Sequence, residues 1–515
     1  MNETQNLKSG WRIVRRILIG MTVLATLITV FYTEEDWRGK HAWENYKREA
    51  EARGERFDAA SVVPPPVPDE QNAFFAPIVA DALKWHGSGH TDGSEAQDVD
   101  VVHQMNFNIW RGNSELWPKS FGNWQKGTLT DLKPWQQYFR EFAGTPEGRT
   151  NGFPVASQPQ TPAADILLAL SCFDPALKDL RQAFKRPYAR MPLDYDQGFD
   201  VAGELLPYLA SMKRCAQFLQ LRILAELDSG QNQQALDDIK LLLGVTDSVR
   251  DQPFLISLLV RMAILHITLQ PVYEGLAQHQ WSEEQLAALE TELANEDFLA
   301  DCKLALRGEK IFAIQSFEKQ RITREMREDD SSGTNKIKTV SLRLMPSAFF
   351  YQNELAFAQM HQQYILPLID LTNRIAAPAA LRQSQAAMQA QMKHYSPYKV
   401  QALMDGPAIV GIVKKIAAVQ TDIDLARVAC ALGRYWLAHG AYPETLDTLS
   451  PKFIEKLPHD IINGQPLHYR RTDGGQFVLY SVGWNEMDDG GEVVLKKSGS
   501  VDQEQGDWVW QYPVK

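Results

Sequence analysis

Chemistry needs suitable side chains at suitable spacing, and this sequence offers few such sets. Asp194 and Asp196 stand two apart in Pro192-Leu193-Asp194-Tyr195-Asp196, a carboxylate pair that would serve acid and base chemistry if a cleft joined them. The stretch is short, aromatic and proline-flanked, and it reads as a loop. His86, His90 and Asp92 are metal-ligand types within Gly87 to Asp100 and its flank, where Gly, Ser, His and Asp replace apolar periodicity. Nothing local would hold those ligands, so a polar loop is expected there. Cys172, Cys215, Cys302 and Cys430 lie far apart without a CxxC, which leaves no readable zinc knuckle or thioredoxin-type site. Two disulfides would form only in an oxidising compartment; the simpler reading is four small buried hydrophobes on helices. The chain has no H-E-x-x-H, no Walker lysine loop, no G-x-S-x-G and no dinucleotide glycine pattern, so no catalytic residue is assigned. Tryptophan is the remaining resource. It occurs 13 times, and Trp110, Trp117, Trp124 and Trp135 would mark a substrate cleft if they converged beside two carboxylates.

The elements that would position such groups are easier to read. At roughly 150 residues per domain, 515 residues make two to four domains, and a hydrophobic fraction of 44% supports packed cores. The net charge of −11 argues against nucleic acid, which needs clustered Lys and Arg to displace counterions. Residues 17–32 read ILIGMTVLATLITVFY, and Ile13 and Val14 extend the run past Arg15 and Arg16. The twenty positions 13–32 give about 30 Å of helix, the thickness of a hydrocarbon core. Lys8, Arg12, Arg15 and Arg16 precede the span, and Glu34, Glu35 and Asp36 follow it. That asymmetry predicts a single-pass anchor in the cytoplasmic membrane, with residues 1–12 as a cytoplasmic tail and the bulk extracytoplasmic. An uncleaved signal anchor is favoured over a cleaved signal peptide because no small-x-small site follows the run.

Residues 33–68 read as a stalk and proline-rich linker. Trp37, Trp43 and Tyr46 suit headgroup level, and Val62-Val63-Pro64-Pro65-Pro66-Val67-Pro68 must be extended. Residues 69–160 are mixed and irregular. From 161 to 330 the chain is written in helical periods, as in Leu205, Leu209, Met212, Ala216, Leu219, Ile223 and Leu227, and again from Leu255 to Leu276. Thr161-Pro162 and Ser282 with Gln285 mark helix starts. Glu226 to Leu243 resembles one tetratricopeptide hairpin, but no 34-residue period follows, so an irregular antiparallel helical stack is expected. His266 falls on the second stripe as a core histidine. Residues 331–419 hold a further helical block, rich in Gln, Ala and Met over about Leu355 to Leu403, a composition that suits a long bundled helix and also an interface helix. The fold class is thus mainly α, with a small C-terminal α+β domain.

That last domain, 420–515, opens with the periodic helix Gln420 to His439 and the turn Gly440-Ala441-Tyr442-Pro443. Strands follow at 467–471 and 477–481 around Asp473-Gly474-Gly475, then Tyr480-Ser481-Val482-Gly483-Trp484-Asn485-Glu486-Met487-Asp488-Asp489-Gly490-Gly491. This ordered set resembles the globular head of type II secretion pseudopilins over about a fifth of the chain. The whole chain resembles a class of large membrane-anchored bacterial proteins, a resemblance that implies topology and supplies no activity. A pseudopilin joins its assembly helix directly to the head behind a prepilin-peptidase site, whereas here hundreds of residues intervene and no such site precedes Ile13; a pilus subunit is not expected. In several major pseudopilins the final loop binds calcium, and the resemblance places Asn485, Asp488 and Asp489 as the metal candidates. The residues themselves equally suit a turn whose Asx side chains bond their own backbone, with Gly490 and Gly491 at positive φ. No other cofactor is expected. The functional expectation is an envelope interaction or scaffold protein, with a protein partner in the envelope; the alternative is an envelope hydrolase of glycan or peptide with a Trp-lined cleft.

Overall fold

The computed structural model describes residues 3–79, 107–112, 114–118, 121–326, 345–393 and 399–512, so His86, His90 and Asp92 lie outside the described residues. The chain divides into two compact units: Met1–Ser61 with Lys310–Ile365 and Ser384–Ile409, and Val62–Glu309 with Leu366–Gln383 and Val410–Lys515.

The first unit is organised by α1 (Glu3–Ala52), one unbroken helix. Its apolar part is long enough to cross a membrane, with a mean hydropathy of 1.8 and no burial by protein. Thr22, Thr26, Thr29 and Thr33 each return the hydroxyl to the carbonyl four residues back at 2.8–2.9 Å, so these four donors are satisfied within the helix itself. Beyond it the helix becomes part of a core. Trp43 and Ala50 pack with Phe57, Ile314 and Ala358, and Tyr46 lies against them. Trp37 alone of the three stalk aromatics stays exposed. The stalk is therefore packed, because helices more than 250 residues away cover it. Asp36 accepts from Ala348 N–H at 2.6 Å, and Lys310 Nζ lies 3.2 Å from Glu55.

In the second unit, the expected antiparallel stack is present. Here α2 is Lys133–Gly144, α3 Pro162–Leu170, α4 Asp174–Ala183, α5 Ala202–Asp228, α6 Asn232–Asp247, α7 Leu255–Ala277 and α8 Glu283–Ala294. Helix α5 packs against α3, α6 and α7. The hairpin turn sits at Gly230, whose φ of 71° suits glycine. Thr161 and Ser282 cap α3 and α8, the latter through the reciprocal box with Gln285. Helix α7 is also apolar enough to span a membrane, yet two thirds of its apolar window is buried in protein. Helix α9 (Phe298–Met326) begins in this unit and continues into the first. The four cysteines are free thiols; Cys215, Cys302 and Cys430 are buried and Cys172 is exposed.

The expected long helix at 355–403 is interrupted. Helix α10 (Ser347–Met360) runs into one π turn, His361–Ile365, and one 3-10 turn, Leu366–Leu368, and α-helix resumes at α11 (Pro378–Met392). Pro367 lacks the N–H a helix needs there, and Asp370 closes a turn by exchanging backbone hydrogen bonds with Ile375. Helix α12 (Val400–His439) then starts twenty residues before Gln420 and ends at Gly440, φ 74°. The hairpin is as expected: β1 (His468–Arg471) pairs antiparallel with β2 (Phe477–Ser481), and Arg471 faces Phe477. Strand β5 (Trp508–Gln511) adds to the other edge of β2, and β3 (Val493–Leu495) with β4 (Val501–Gly506) makes a separate ribbon. Residues 420–515 share the compact unit of the stack. Trp510 lies 5.2 Å from Trp124 and 5.6 Å from Tyr273, and Arg434 and Arg427 pair with Glu283 and Glu290 of α8.

Candidate functional site

The C-terminal loop uses its polar side chains on itself. Asn485 accepts from Met487 N–H at 3.1 Å and donates to Asp489 at 2.8 Å. Asp488 accepts from Gly490 N–H and the Tyr480 hydroxyl, with His468 Nδ1 3.3 Å away. The Gly490 and Tyr480 bonds hold the Asp488 carboxyl below the usual range. Asp507, absent from the expected set, accepts from Gly491 N–H at 2.6 Å, and burial pushes its pKa up. Gly490 and Gly491 take φ of 74° and 84°. Among the described residues no three His, Cys, Asp or Glu side chains are grouped to hold a metal ion.

Asp194 and Asp196 are exposed on a 3-10 turn, where Asp194 Oδ1 accepts from Asp196 N–H at 3.2 Å. His266 is half-buried instead of lying in the core, its side chain 32% exposed, and its Nδ1 is 3.6 Å from Asp422, which is 2% exposed. Burial lowers the imidazole pKa and raises that of the carboxyl.

The four tryptophans divide. Trp124 packs on Trp510, away from the others, whereas Trp110 lies 5.4 Å from Trp117 and 4.9 Å from Trp135. Helix α2 builds this cluster. Pro134 sits in its first turn, Trp135, Tyr138, Phe139 and Phe142 recur at helical spacing on the buried side, and Gln137 and Glu141 share the other, bonded at 2.7 Å. The Tyr138 hydroxyl accepts from Arg111 N–H at 2.7 Å and donates to Ile109 O at 2.8 Å, pinning residues 109–111 onto the helix. Burial pushes its pKa up to about 12. Trp117 Nε1 donates to Arg111 O at 3.0 Å, which fixes the indole. Gly122 donates to Thr130 Oγ1, and any Cβ on it would stand 2.6 Å from Thr128 O, so the chain passes there only as glycine.

Beside the cluster opens a cleft of about 580 Å³, within the range of small-molecule sites. Trp117 and Phe121, both half-buried, give it an aromatic face backed by the buried Tyr138, and Glu115, Asp131, Gln137 and Glu141 a polar rim. All four rim residues are exposed. Such a surface can stack the apolar face of a sugar ring and accept from its hydroxyls. Of the four candidate tryptophans only Trp117 lines the cleft, with Trp110 and the fully buried Trp135 packed against one another and Trp124 buried elsewhere; the rim carboxylates were not legible. The available signal was Gln137 and Glu141, four apart on the polar side of a helix whose other side is aromatic. Comparison with known proteins matches no protein-family model, no curated protein and no solved structure.

Proposed function

We propose that this chain is a membrane-anchored binding protein of the bacterial cell envelope that holds a glycan in the cleft between Glu115 and Glu141. The observation that carries the reading is the half-buried aromatic face of Trp117 and Phe121 beside a hydrogen-bonding rim. The basic residues before position 17 and the acidic ones after position 33 support an N-terminus in the cytoplasm and an extracytoplasmic bulk. The test is calorimetry on the detergent-solubilised full chain with soluble oligosaccharides cut from cell-wall glycan. Saturable binding that weakens about tenfold or more in Trp117→Ala supports the reading, since a lost stacking platform is worth 1–2 kcal/mol. No binding, or binding indifferent to Trp117, rejects it. Cleaved oligosaccharide in the mass spectrum would turn the reading to a hydrolase.

A second reading concerns residues 420–515, taken as a pseudopilin-like head that docks an envelope protein. It is favoured by the exposure of Met487 (57%) and Leu495 (50%) on the head. Because this segment packs into the stack, the informative variant is Met487→Asp in the intact chain, not a truncation. A partner cross-linked in vivo to the native chain and lost in that variant supports docking; equal recovery rejects this face.

A further inference from the structure

A second pocket, independent of the glycan cleft, lies in the same compact unit where the end of α8, the start of α9, the middle of α12, the turn at 370–375 and the segment 456–461 meet. It holds about 250 Å³ and is lined by Glu296, Asp297, Arg374, Asp424, Arg427 and Lys456, with Gln420 and His459 beside them. The walls are built with care. Asp370 ties its turn by accepting from Thr372 and Asn373 N–H at 2.9 and 3.1 Å and from the Asn373 amide at 2.7 Å. His459 Nε2 donates to the carbonyl of Asn373 at 3.0 Å. Together they hold Arg374 at φ 52°, a left-handed conformation that a non-glycine residue adopts only when its surroundings enforce it. Its guanidinium is thereby placed 2.7 Å from Asp297.

The charges in this pocket are incompletely used by the protein. Glu296 is spent on Arg250 and Arg261, and the Nε and one terminal nitrogen of Arg427 on Glu290. Asp424 is different. It is 3% exposed, yet its only hydrogen bond among the described residues is a long one from Gln420 at 3.5 Å, with Arg427 at 3.6 Å. A carboxylate has about four acceptor sites, so this one has capacity left and faces a cavity. Burial pushes its pKa up to about 6 against the pull of Arg427 and Arg374, which describes a carboxylate short of donors. Lys456, exposed and also lining the pocket, forms no ion pair among the described residues.

We propose that this pocket binds a small zwitterion of the α-amino acid class, its ammonium on Asp424 and its carboxylate on Lys456 and the outer nitrogens of Arg374. The charge pattern selects both groups at once: an amine alone leaves Lys456 unanswered, and a carboxylate alone sits against Asp424. The volume admits a free amino acid rather than a folded peptide.

The experiment is a thermal-shift and calorimetric screen of the full chain in detergent against the common α-amino acids, each paired with its N-acetyl and its decarboxylated form. At least one amino acid should bind saturably, with both paired forms weaker by about tenfold. Asp424→Asn, nearly isosteric, should cost about tenfold or more, and Lys456→Ala, an exterior change that leaves the fold alone, several-fold. Trp117→Ala should leave amino-acid binding intact, so failure of the glycan reading and failure of this one are separable. Binding unaffected by Asp424→Asn and Lys456→Ala, equal binding of the amine or acid forms, or no binding across the panel overturns the proposal.

Discussion

Two groups of carboxylates, one inside the helical stack and one on the rim of the cleft, meet opposite fates. Inside, Arg261 is 1% exposed and reaches Asp301 at 2.5 Å, Glu296 at 2.8 Å and Asp247 at 3.2 Å, while Arg250 adds Glu296 at 2.6 Å. On the rim, Asp131 accepts from the Lys133 backbone and Glu141 from the Gln137 amide, and both stay exposed. A buried charge must be answered by the protein itself, because isolating it from water costs several kcal/mol. An exposed one is answered by water and is free to exchange that water for a ligand. The first arrangement fixes three helices; the second leaves chemistry available.

The comparison is broken most directly at Arg261. Arg261→Met leaves Glu296 and Asp301 buried with Arg250 as their remaining cation, and stability should fall by about 3–5 kcal/mol. Chemical denaturation of the solubilised chain reads this. A loss below about 1 kcal/mol would mean that water enters the knot, and the contrast with the rim would vanish.

Asp460 sharpens it with a buried carboxylate answered by backbone and hydroxyl instead of arginine. It is 1% exposed and accepts from Ser481 Oγ, Val482 N–H and Ile462 N–H at 2.9–3.0 Å. Asp460→Ala strands these donors in the head, a loss of about 1–3 kcal/mol. Hydrogen exchange should show Val482 and Ile462 deprotected while α5 keeps its protection. Uniform deprotection would instead make the head and stack one cooperative block.

In the first unit, Glu354 shows the intermediate case, a buried carboxylate with too few partners. It is 2% exposed, one of its oxygens lacks any hydrogen bond, and burial pushes its pKa up to about 8 against the pull of Arg321. Between about 4.5, the ordinary glutamate value, and about 8 the folded chain therefore holds a proton that the unfolded chain has released. Its stability should fall as pH rises through that window and be unaffected below it. Glu354→Gln should flatten this slope and gain on the order of 1–2 kcal/mol above the window. Parallel melting curves for both forms from acid to alkaline pH would show that the carboxyl is hydrated.

How far these features could be read from the residues follows from where their determinants lie. Helix α5, the box at Ser282 and Gln285, and the β1–β2 hairpin are local: periodicity, a cap three residues away and a glycine turn specify them. The unbroken α1 was half legible, because its apolar run is local but the burial of Trp43 depends on Ile314 and Ala358. The interruption after Ile365 has a local signal in Pro367, which lacks the N–H that a continuous helix needs. Arg261 was legible too, a lone charge in the apolar run Leu255 to Leu269, and so was Asp460 ahead of Asn463-Gly464. The cleft was not. It joins Trp117 and Phe121 of an irregular segment to the polar side of α2, and the buried Tyr138 hydroxyl pins residues 109–111 of that segment onto the helix. No spacing in the chain encodes that bond.

The smallest expected effect tests the other side of the comparison. Glu141→Gln keeps the shape of the rim and can keep a bond to Gln137, since two amides pair as donor and acceptor. An exposed carboxylate carries little of the fold, so stability should change by no more than about 0.5 kcal/mol. The ligand should feel more. A sugar hydroxyl bonded to an ionised acceptor gains more than one bonded to an amide, and the substitution should weaken oligosaccharide binding about threefold to tenfold. Calorimetry at two salt concentrations separates the causes: a neutral glycan should show the same loss at both, because a short hydrogen bond is little screened. A loss that disappears in salt would identify a cationic ligand instead, and the rim would then be an electrostatic surface in place of a hydrogen-bonding one.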